Sequence, residues 1–306
     1  MKQPADSRGT PPDSLEPLAR AMDQRSFPVF PLEAWRVDAA RALLGEAVCD
    51  SIGVIRLPDN FRLSVVVPVY NEVKTVEQIL DRLLATRLPL EIILVDDGST
   101  DGTREELPSL ESHYPIRVIY HEYNRGKGAA VRTGLSHASG DVVVIQDADL
   151  EYDPIDFWWL LQPILQGRAD VVYGSRFTQA YQVVPPLWHR AVNRLISSLA
   201  SLALGRRFSD VETCYKMMRR EVVEPLVPLL QESRFGIEIE LTFRLARQAN
   251  ARFFEVPIHY ERRWYSEGKK ITWRDGVAAL WCIARYAWVP RVVPPREPEQ
   301  RSVPPA

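Results

Sequence analysis

From Leu63 onward, short apolar runs alternate with amphipathic segments. LSVVV (63–67), EIILV (91–95), IRVIY (116–120), DVVVI (141–145) and DVVYG (170–174) are rich in β-branched residues and read as strands buried on both faces. Between the first two runs, Val76, Ile79, Leu80, Leu83 and Leu84 recur at helical spacing, and Thr75 with Gln78 offers a capping box. Strand, helix, strand in succession implies right-handed crossovers, hence an α/β fold with a mostly parallel sheet flanked by helices. Ligands of such sheets bind outside the carboxyl ends of the strands, so the residues just after each run are where chemistry is expected.

The flanks differ in texture. Leu18, Met22, Trp35, Ala39, Ala42 and Leu43 recur at roughly helical spacing, which predicts two or three short helices in an N-terminal extension over 15–60, ahead of the α/β domain over 61–289. Residues 1–14 are rich in Pro, Asp, Ser and Gly, and 290–306 in Pro, Arg and Glu; both are expected to be disordered. The segment Leu187 to Leu204 is strongly apolar and suits either a groove wall or core. Trp281, Ile283, Tyr286 and Trp288, with Arg274 and Arg285 and the preceding Arg262, Arg263, Lys269 and Lys270, could seat a helix at a lipid headgroup layer, or equally form a face packed on the domain.

The composition narrows the class. With 46% hydrophobic and 25% charged residues the chain has the balance of a soluble globular protein. A net charge of −2 with interspersed signs gives no broad footprint for nucleic acid. The sequence carries no signal-peptide pattern and no apolar run of roughly 18 residues, so no membrane span is expected. Cys49, Cys214 and Cys282 lack metal-ligand or CxxC spacing; inert core thiols in a reducing, cytoplasmic setting fit best.

The residues after the runs are polar. Pro68-Val69-Tyr70-Asn71-Glu72 follows the first, Asp96-Asp97-Gly98-Ser99-Thr100 the second, and Gln146-Asp147-Ala148-Asp149-Leu150-Glu151 the fourth. Two carboxylates one residue apart at a strand end can direct oxygen ligands at one hard divalent cation, Mg²⁺ or Mn²⁺, that also bridges two phosphates. A lone DxD is more often a solvated turn; the second acidic pair at the same expected rim raises its weight. Asn124-Arg125-Gly126-Lys127-Gly128 opens a helix with glycines and positive charge, a combination suited to an anionic ligand, without the spacing of a Walker A loop.

Taken in order, VVVPVYNE, LVDDGSTDGT, NRGKGAAVRTG, GDVVVIQDADLEYDP and YGSRF resemble the inverting glycosyltransferases of GT-A (Rossmann-like) fold, and most closely the dolichyl- and polyprenyl-phosphate mannose or glucose synthases. DVETCYKMMRR, RFGIEIELTFRLA, VPIHYERRWYSEGKKI and WRDG extend the likeness over about three-quarters of the chain. The resemblance implies that Pro68, Tyr70 and Glu72 line a nucleotide pocket and that Asp96 or Asp97 reads base and ribose. It further implies that Asp147 and Asp149 hold metal and diphosphate, with Gln146, Ala148 and Lys127 beside the donor. Arg176, Arg190 and Arg263 match arginines that bind donor or acceptor phosphates, a role suited to their planar fork. Glu151, the third candidate metal ligand, stands where the mannosyl synthases often carry a Gln that assists the metal, which leaves donor and metal preference open. Glu212 and Lys216 fall in the sugar-proximal part, as a contact or base, or as a buried structural pair.

The expected reaction is transfer of mannose or glucose from GDP-mannose or UDP-glucose to a polyprenyl phosphate, at most with peripheral contact at the cytoplasmic face of the membrane. Such a phosphate, with a second pKa near 6, is already anionic at neutral pH and needs no strong base. A sugar hydroxyl acceptor would need one. The alternatives are transfer to a hydroxyl of a soluble acceptor or glycan, and a non-catalytic module that binds nucleotide sugars.

Overall fold

The computed structural model describes residues 34–51, 54–177, 187–248, 251–261 and 273–288. The strands are β1 (Leu63–Val69), β2 (Leu90–Asp96), β3 (Ile116–Tyr120), β4 (Val142–Ile145), β5 (Val171–Ser175), β6 (Lys216–Arg219) and β7 (Phe253–Pro257). They form one sheet in the order β3-β2-β1-β4-β6-β5-β7. The helices are α1 (Ala34–Leu44), α2 (Glu46–Ser51), α3 (Val76–Ala85), α4 (Thr103–His113), α5 (Lys127–His137), α6 (Phe157–Leu165), α7 (Leu187–Leu204), α8 (Arg220–Val223), α9 (Ile237–Ala246) and α10 (Trp273–Tyr286).

The five anticipated strands form within a residue or two of the predicted limits. β1 pairs in parallel with β2 and β4, and β2 with β3. Because β1 and β4 are neighbours in space but not in sequence, the strand order reverses between them, and sheets of this kind hold their ligand crevice at the carboxyl ends beside such a reversal. The β1–β4 pairing stops at Val66 and Ile145 while β1 continues beside β2 to Val69 and Asp96, so Pro68 lies past the last β4 pair, where its missing N–H costs no ladder bond on that side.

Strands β6 and β7 are absent from the sequence reading. β6 enters antiparallel between β4 and β5, and β7 pairs in parallel with β5. KMMR has no β-branched residue and carries charge at both ends, so its strand state rests on the two neighbours it pairs with rather than on its own propensity. This insertion carries the preceding Asp210–Tyr215 segment into the interior.

Two local expectations are corrected. In α3, Val76, Ile79, Leu80 and Leu83 are buried as predicted, but Leu84 is 40% exposed. The capping box does not form: Thr75 makes no side-chain cap bond, its hydroxyl donating instead to the buried Glu72 carboxylate at 2.8 Å, while the Gln78 amide donates to Lys74 O. A charged carboxylate is the stronger acceptor for that hydroxyl. Two short helices, α1 and α2, stand in the extension as expected; in α1 Val37 is buried, and Ala39, Ala42 and Leu43 are exposed, the last at 83%. Leu18, Met22 and both terminal segments lie outside the described residues.

The two late helices divide their apolar residues between core and surface. Ile196 and Ala200 of α7 and Ala279, Ile283 and Tyr286 of α10 are buried, whereas Leu195, Leu199 and Leu202 of α7 and Val277, Leu280 and Trp281 of α10 are exposed, as is Trp288 just beyond. Among the described residues no helix is long and apolar enough to cross a membrane. All three cysteines are buried and unpaired.

Gly134 marks how tightly α5 lies on the sheet: a Cβ there would come 2.2 Å from Val66 Cγ1, a fully buried, branched side chain. Gly134→Ala is expected to destabilise by roughly 1–3 kcal/mol, the cost of overpacking, despite its better helix propensity. Urea denaturation checks this, and Val66→Ala in the same chain should recover part of the loss; an unchanged midpoint in the single variant would show the interface to be looser than described.

Candidate active site

The site is built from loops at the carboxyl ends of β1, β2 and β4. The turn after β1 is locked to the turn after β2: Asn71 N donates to Ser99 Oγ (3.0 Å), Glu72 N to Thr103 Oγ1 (2.9 Å), and Thr100 N to Asn71 Oδ1 (2.8 Å). Asn71 has φ 55°, a conformation that Asn tolerates better than most residues. Pro68 and Tyr70 are partly buried on this wall and Glu72 is buried.

The two aspartates after β2 have different partners. Asp97 accepts from Arg125 N (2.9 Å) and Gly126 N (2.7 Å), and lies 2.7 Å from Nδ1 of the buried His121. The anion held by the amides of the NRG turn is therefore the protein's own Asp97. Asp96 accepts from Ser99 N (3.2 Å) through Oδ1, while its buried Oδ2 has no hydrogen bond and lies 3.5 Å from Arg104 Nη1. An orphaned buried acceptor is costly unless something donates to it.

The glycines of NRGKG are explained by packing. A Cβ on Gly126 would lie 2.3 Å from Ser233 O, and one on Gly128 would lie 2.4 Å from Glu232 O. Gly126 also has φ 94°. The opposing chain is itself clamped by Glu240, which accepts from Gln231 N (2.8 Å) and Glu232 N (2.7 Å).

One residue beyond Gly126, the Lys127 ammonium reaches across the crevice to both oxygens of Asp147, at 2.7 and 2.9 Å, and lies 3.2 Å from Glu238 Oε1. Burial alone would pull the lysine's pKa down; Asp147 outweighs it and holds the ammonium above its ordinary range. On the far side of Glu238, Lys216 Nζ lies 2.5 Å from Oε2 and also donates to Thr213 O. Carboxylates and ammonium groups thus alternate from Asp147 inward.

Behind Asp147, the buried Gln146 accepts from Tyr215 OH (2.6 Å) and donates to Asp147 O (2.9 Å); Ala148 is buried beside it. Asp149 Oδ1 accepts from Glu151 N (3.1 Å) across Leu150, which has φ 62°. A leucine in this region costs about 1–2 kcal/mol, and such strain gathers at functional turns. Glu151 is buried and accepts from Tyr260 OH (2.7 Å).

At the end of β5, Arg176 directs Nε and Nη2 at the two oxygens of Asp210 (2.7 and 2.9 Å), and its guanidinium lies 5.3 Å from the centre of the Tyr260 ring. Glu212, partly buried nearby, is pushed up from 4.5 to about 7 by burial, with Arg176 and Lys216 opposing and Asp210 and Glu238 reinforcing the shift. Arg190 sits in α7 without a described side chain, and Arg263 lies outside the described residues.

Asp210, His121 and Glu238 were missed by sequence reasoning. Asp210 and His121 sit in irregular segments with no period to flag them. Glu238 and Glu240 carried a readable signal: two acids within GIEIELTF, a segment too apolar to place both on a solvated face.

As hard oxygen donors, the Asp147 and Asp149 carboxylates fit Mg²⁺ or Mn²⁺, and a cationic group already rests on Asp147. Among the described residues no group of three His, Cys, Asp or Glu is arranged to hold a metal.

A crevice at the sheet reversal, lined by two acidic pairs and a lysine, on a mostly parallel sheet flanked by helices, defines a GT-A-like protein. The chain belongs to glycosyl transferase family 2, whose model matches residues 64–227. It is 32% identical over 213 residues to the dolichol-phosphate mannosyltransferase of Pyrococcus furiosus, covering 68% of this chain and 59% of that one. It is 29% identical over 215 residues to the undecaprenyl-phosphate 4-deoxy-4-formamido-L-arabinose transferase of Proteus mirabilis, covering 68% and 62%. The chain thus spans about three-fifths of the length of these relatives. In fold it is similar to glucosyl-3-phosphoglycerate synthase from Mycobacterium tuberculosis, solved with Mn²⁺, uridine diphosphate and phosphoglyceric acid, at TM-score 0.58 and 21% identity over 87% of this chain and 88% of that one.

Asp97→Asn keeps the shape but removes the charge from three contacts. Charge-assisted hydrogen bonds contribute about 1.5–3 kcal/mol each, and the amide can still satisfy part of the set, so a loss of roughly 2 kcal/mol is expected in urea denaturation. A loss below about 0.5 kcal/mol, the level of an ordinary surface change, would remove Asp97 as the anchor of the turn.

Proposed function

We propose that the chain is a metal-dependent inverting glycosyltransferase that moves mannose or glucose from a GDP- or UDP-sugar to a polyprenyl phosphate. The observation that carries this reading is that neighbouring residues, Gly126 and Lys127, touch Asp97 and Asp147, so both acidic pairs border one crevice.

Within it, Asp96 Oδ2 would accept from a base N–H or ribose hydroxyl, and Pro68, Tyr70 and Glu72 would wall the nucleotide. Asp147 and Asp149 would hold Mg²⁺ or Mn²⁺, with Glu151 behind them; the bound ion would neutralise charge on the departing diphosphate. Gln146 and Ala148 fix the turn that presents these carboxylates. Arg176, oriented by Asp210 and Tyr260, would steady the acceptor or donor phosphate, with Arg190 and Arg263 assigned to the same task. Attack from the face opposite the leaving group inverts the anomeric carbon. The exposed apolar residues of α7 and α10 would meet the lipid and the headgroup layer at the cytoplasmic face.

The test is incubation with labelled GDP-mannose or UDP-glucose, Mn²⁺ and vesicles containing undecaprenyl phosphate. Label is expected in the lipid. Neutralising Asp147 and Asp149 together (both →Asn) should lower kcat by about 10³ or more, since a metal supplies several kcal/mol of charge stabilisation. Full activity in that variant would end the metal assignment, and absence of lipid product with either donor would end the acceptor assignment.

Glu212 supports a second reading, in which the acceptor is a hydroxyl. A carboxyl titrating near 7 among Arg176, Asp210, Lys216 and Glu238 is suited to take a proton at neutral pH. For a hydroxyl acceptor the rate should rise with pH through about 7, and Glu212→Gln should lower it by about 10²–10⁴. For a lipid phosphate, the rise should instead follow the phosphate near pH 6, and Glu212→Gln should cost only several-fold. Since the folded protein holds this proton more tightly than the unfolded chain, stability should fall as pH rises from 4.5 to about 7 and level off above. The pH profiles of kcat for wild type and Glu212→Gln decide between the acceptors.

A further inference from the structure

The Lys127 ammonium does more than line the crevice. It rests on both oxygens of Asp147, at 2.7 and 2.9 Å, covering the carboxylate face that a divalent ion would use. Its other neighbour, Glu238, is 3.2 Å away and is held independently on its second oxygen by Lys216 at 2.5 Å. Removing Lys127 would therefore leave Glu238 with a cation but Asp147 without the one described here. The side chains of Lys127 and Asp147 are 16% and 20% exposed, whereas Lys216 is fully buried. Of the two ammonium groups, only Lys127 borders solvent and has a stem anchored at a helix start, from which it can swing.

The geometry points to Lys127 as an internal stand-in for the divalent cation, one that must leave Asp147 for the metal to bind and then turns to the diphosphate of the nucleotide. This rests on the proposed metal role of Asp147. Lys127 and Lys216 together balance Asp147 and Glu238, which leaves Asp149 beside them as a further carboxylate for an ion. A divalent ion entering alone adds two positive charges, only partly offset by Asp149, beside an ammonium that has just lost its partner, an unfavourable arrangement at close range in a poorly solvated site. A nucleoside diphosphate entering with the ion supplies the balancing negative charge and a new partner for Lys127. Metal and nucleotide therefore assist each other, and the coupling passes through this one side chain.

The experiment is a titration of the full chain with Mn²⁺, followed by the electron paramagnetic resonance of the free ion, with and without saturating UDP or GDP. Wild type should bind Mn²⁺ weakly alone and at least about 100-fold more tightly with the better nucleotide. In Lys127→Met and in the polar, neutral Lys127→Gln, Mn²⁺ alone should bind at least about tenfold more tightly than in wild type, a gain of about 1.4 kcal/mol. The assistance from nucleotide should fall by a similar factor. Lys127→Arg, which keeps the charge, should behave as wild type.

If wild type binds Mn²⁺ with nucleotide but both neutral variants bind the free ion no more tightly, with melting curves showing them folded, the stand-in role is wrong and the metal site survives. If wild type fails to bind Mn²⁺ even with UDP or GDP, the metal site falls and this inference with it. Should either neutral variant unfold, the other and Lys127→Arg carry the comparison; tighter Mn²⁺ binding by the arginine variant would equally overturn the role.

Discussion

One carboxylate organises the crevice. Asp97, at the end of β2, gathers two backbone amides of the turn before α5 and the ring of His121. That grip sets where α5 begins, and therefore where its first residue, Lys127, can place an ammonium. The reach from Asp97 to Asp147 is bridged by two consecutive residues, so the distance between strand ends β2 and β4 becomes a property of one short turn. The same turn is pressed from the other side by the chain at Glu232–Arg234, close enough that residues larger than glycine do not fit at 126 and 128.

The interior of the site is crowded with charge, yet the charges are paired. Asp147, Lys127, Glu238 and Lys216 alternate, and Asp210 holds Arg176 through two hydrogen bonds. Buried pairs of this kind add little net stability over apolar packing, but losing one member leaves a charge that is costly to leave unmatched. They are better understood as devices that fix side-chain positions before any ligand arrives. Asp96 Oδ2 is held more loosely, 3.5 Å from Arg104 Nη1 and without a hydrogen bond, and Glu212 is a carboxyl whose environment favours its neutral form at mildly acidic pH. Both lie in segments that a substrate would border in the proposed reading.

The central sheet was legible because each of its parallel strands is a β-branched run buried on both faces, a local pattern that no tertiary context needs to supply. The DxD turn, the second acidic pair and the NRGKG turn were legible as motifs, and their order supported the resemblance to glycosyltransferases. Their partners were not. That Asp97 holds the NRG turn, and that Lys127 meets Asp147, follows from which strand lies beside which. Strand β6 was illegible for a related reason: four residues without strand propensity become a strand because two edges are available on either side. The α10 stripe was legible only in part, since helical periodicity identifies apolar faces without saying which of them is covered. Ile283 and Tyr286 went inward and Trp281 remained outside.

By itself, then, the sequence determined the alternation of strands and helices, the acidic residues at the strand ends and the family they resemble, because these depend on short-range periodicity and on motifs contiguous in the chain. The tertiary structure alone decided which aspartate anchors a turn and which keeps a buried oxygen without a hydrogen bond, that Glu238 and Asp210 complete the charge array, and that a lysine rests on Asp147. Those outcomes depend on distances between residues far apart in sequence, which are set by strand order and by close packing across the crevice, and no local pattern encodes them.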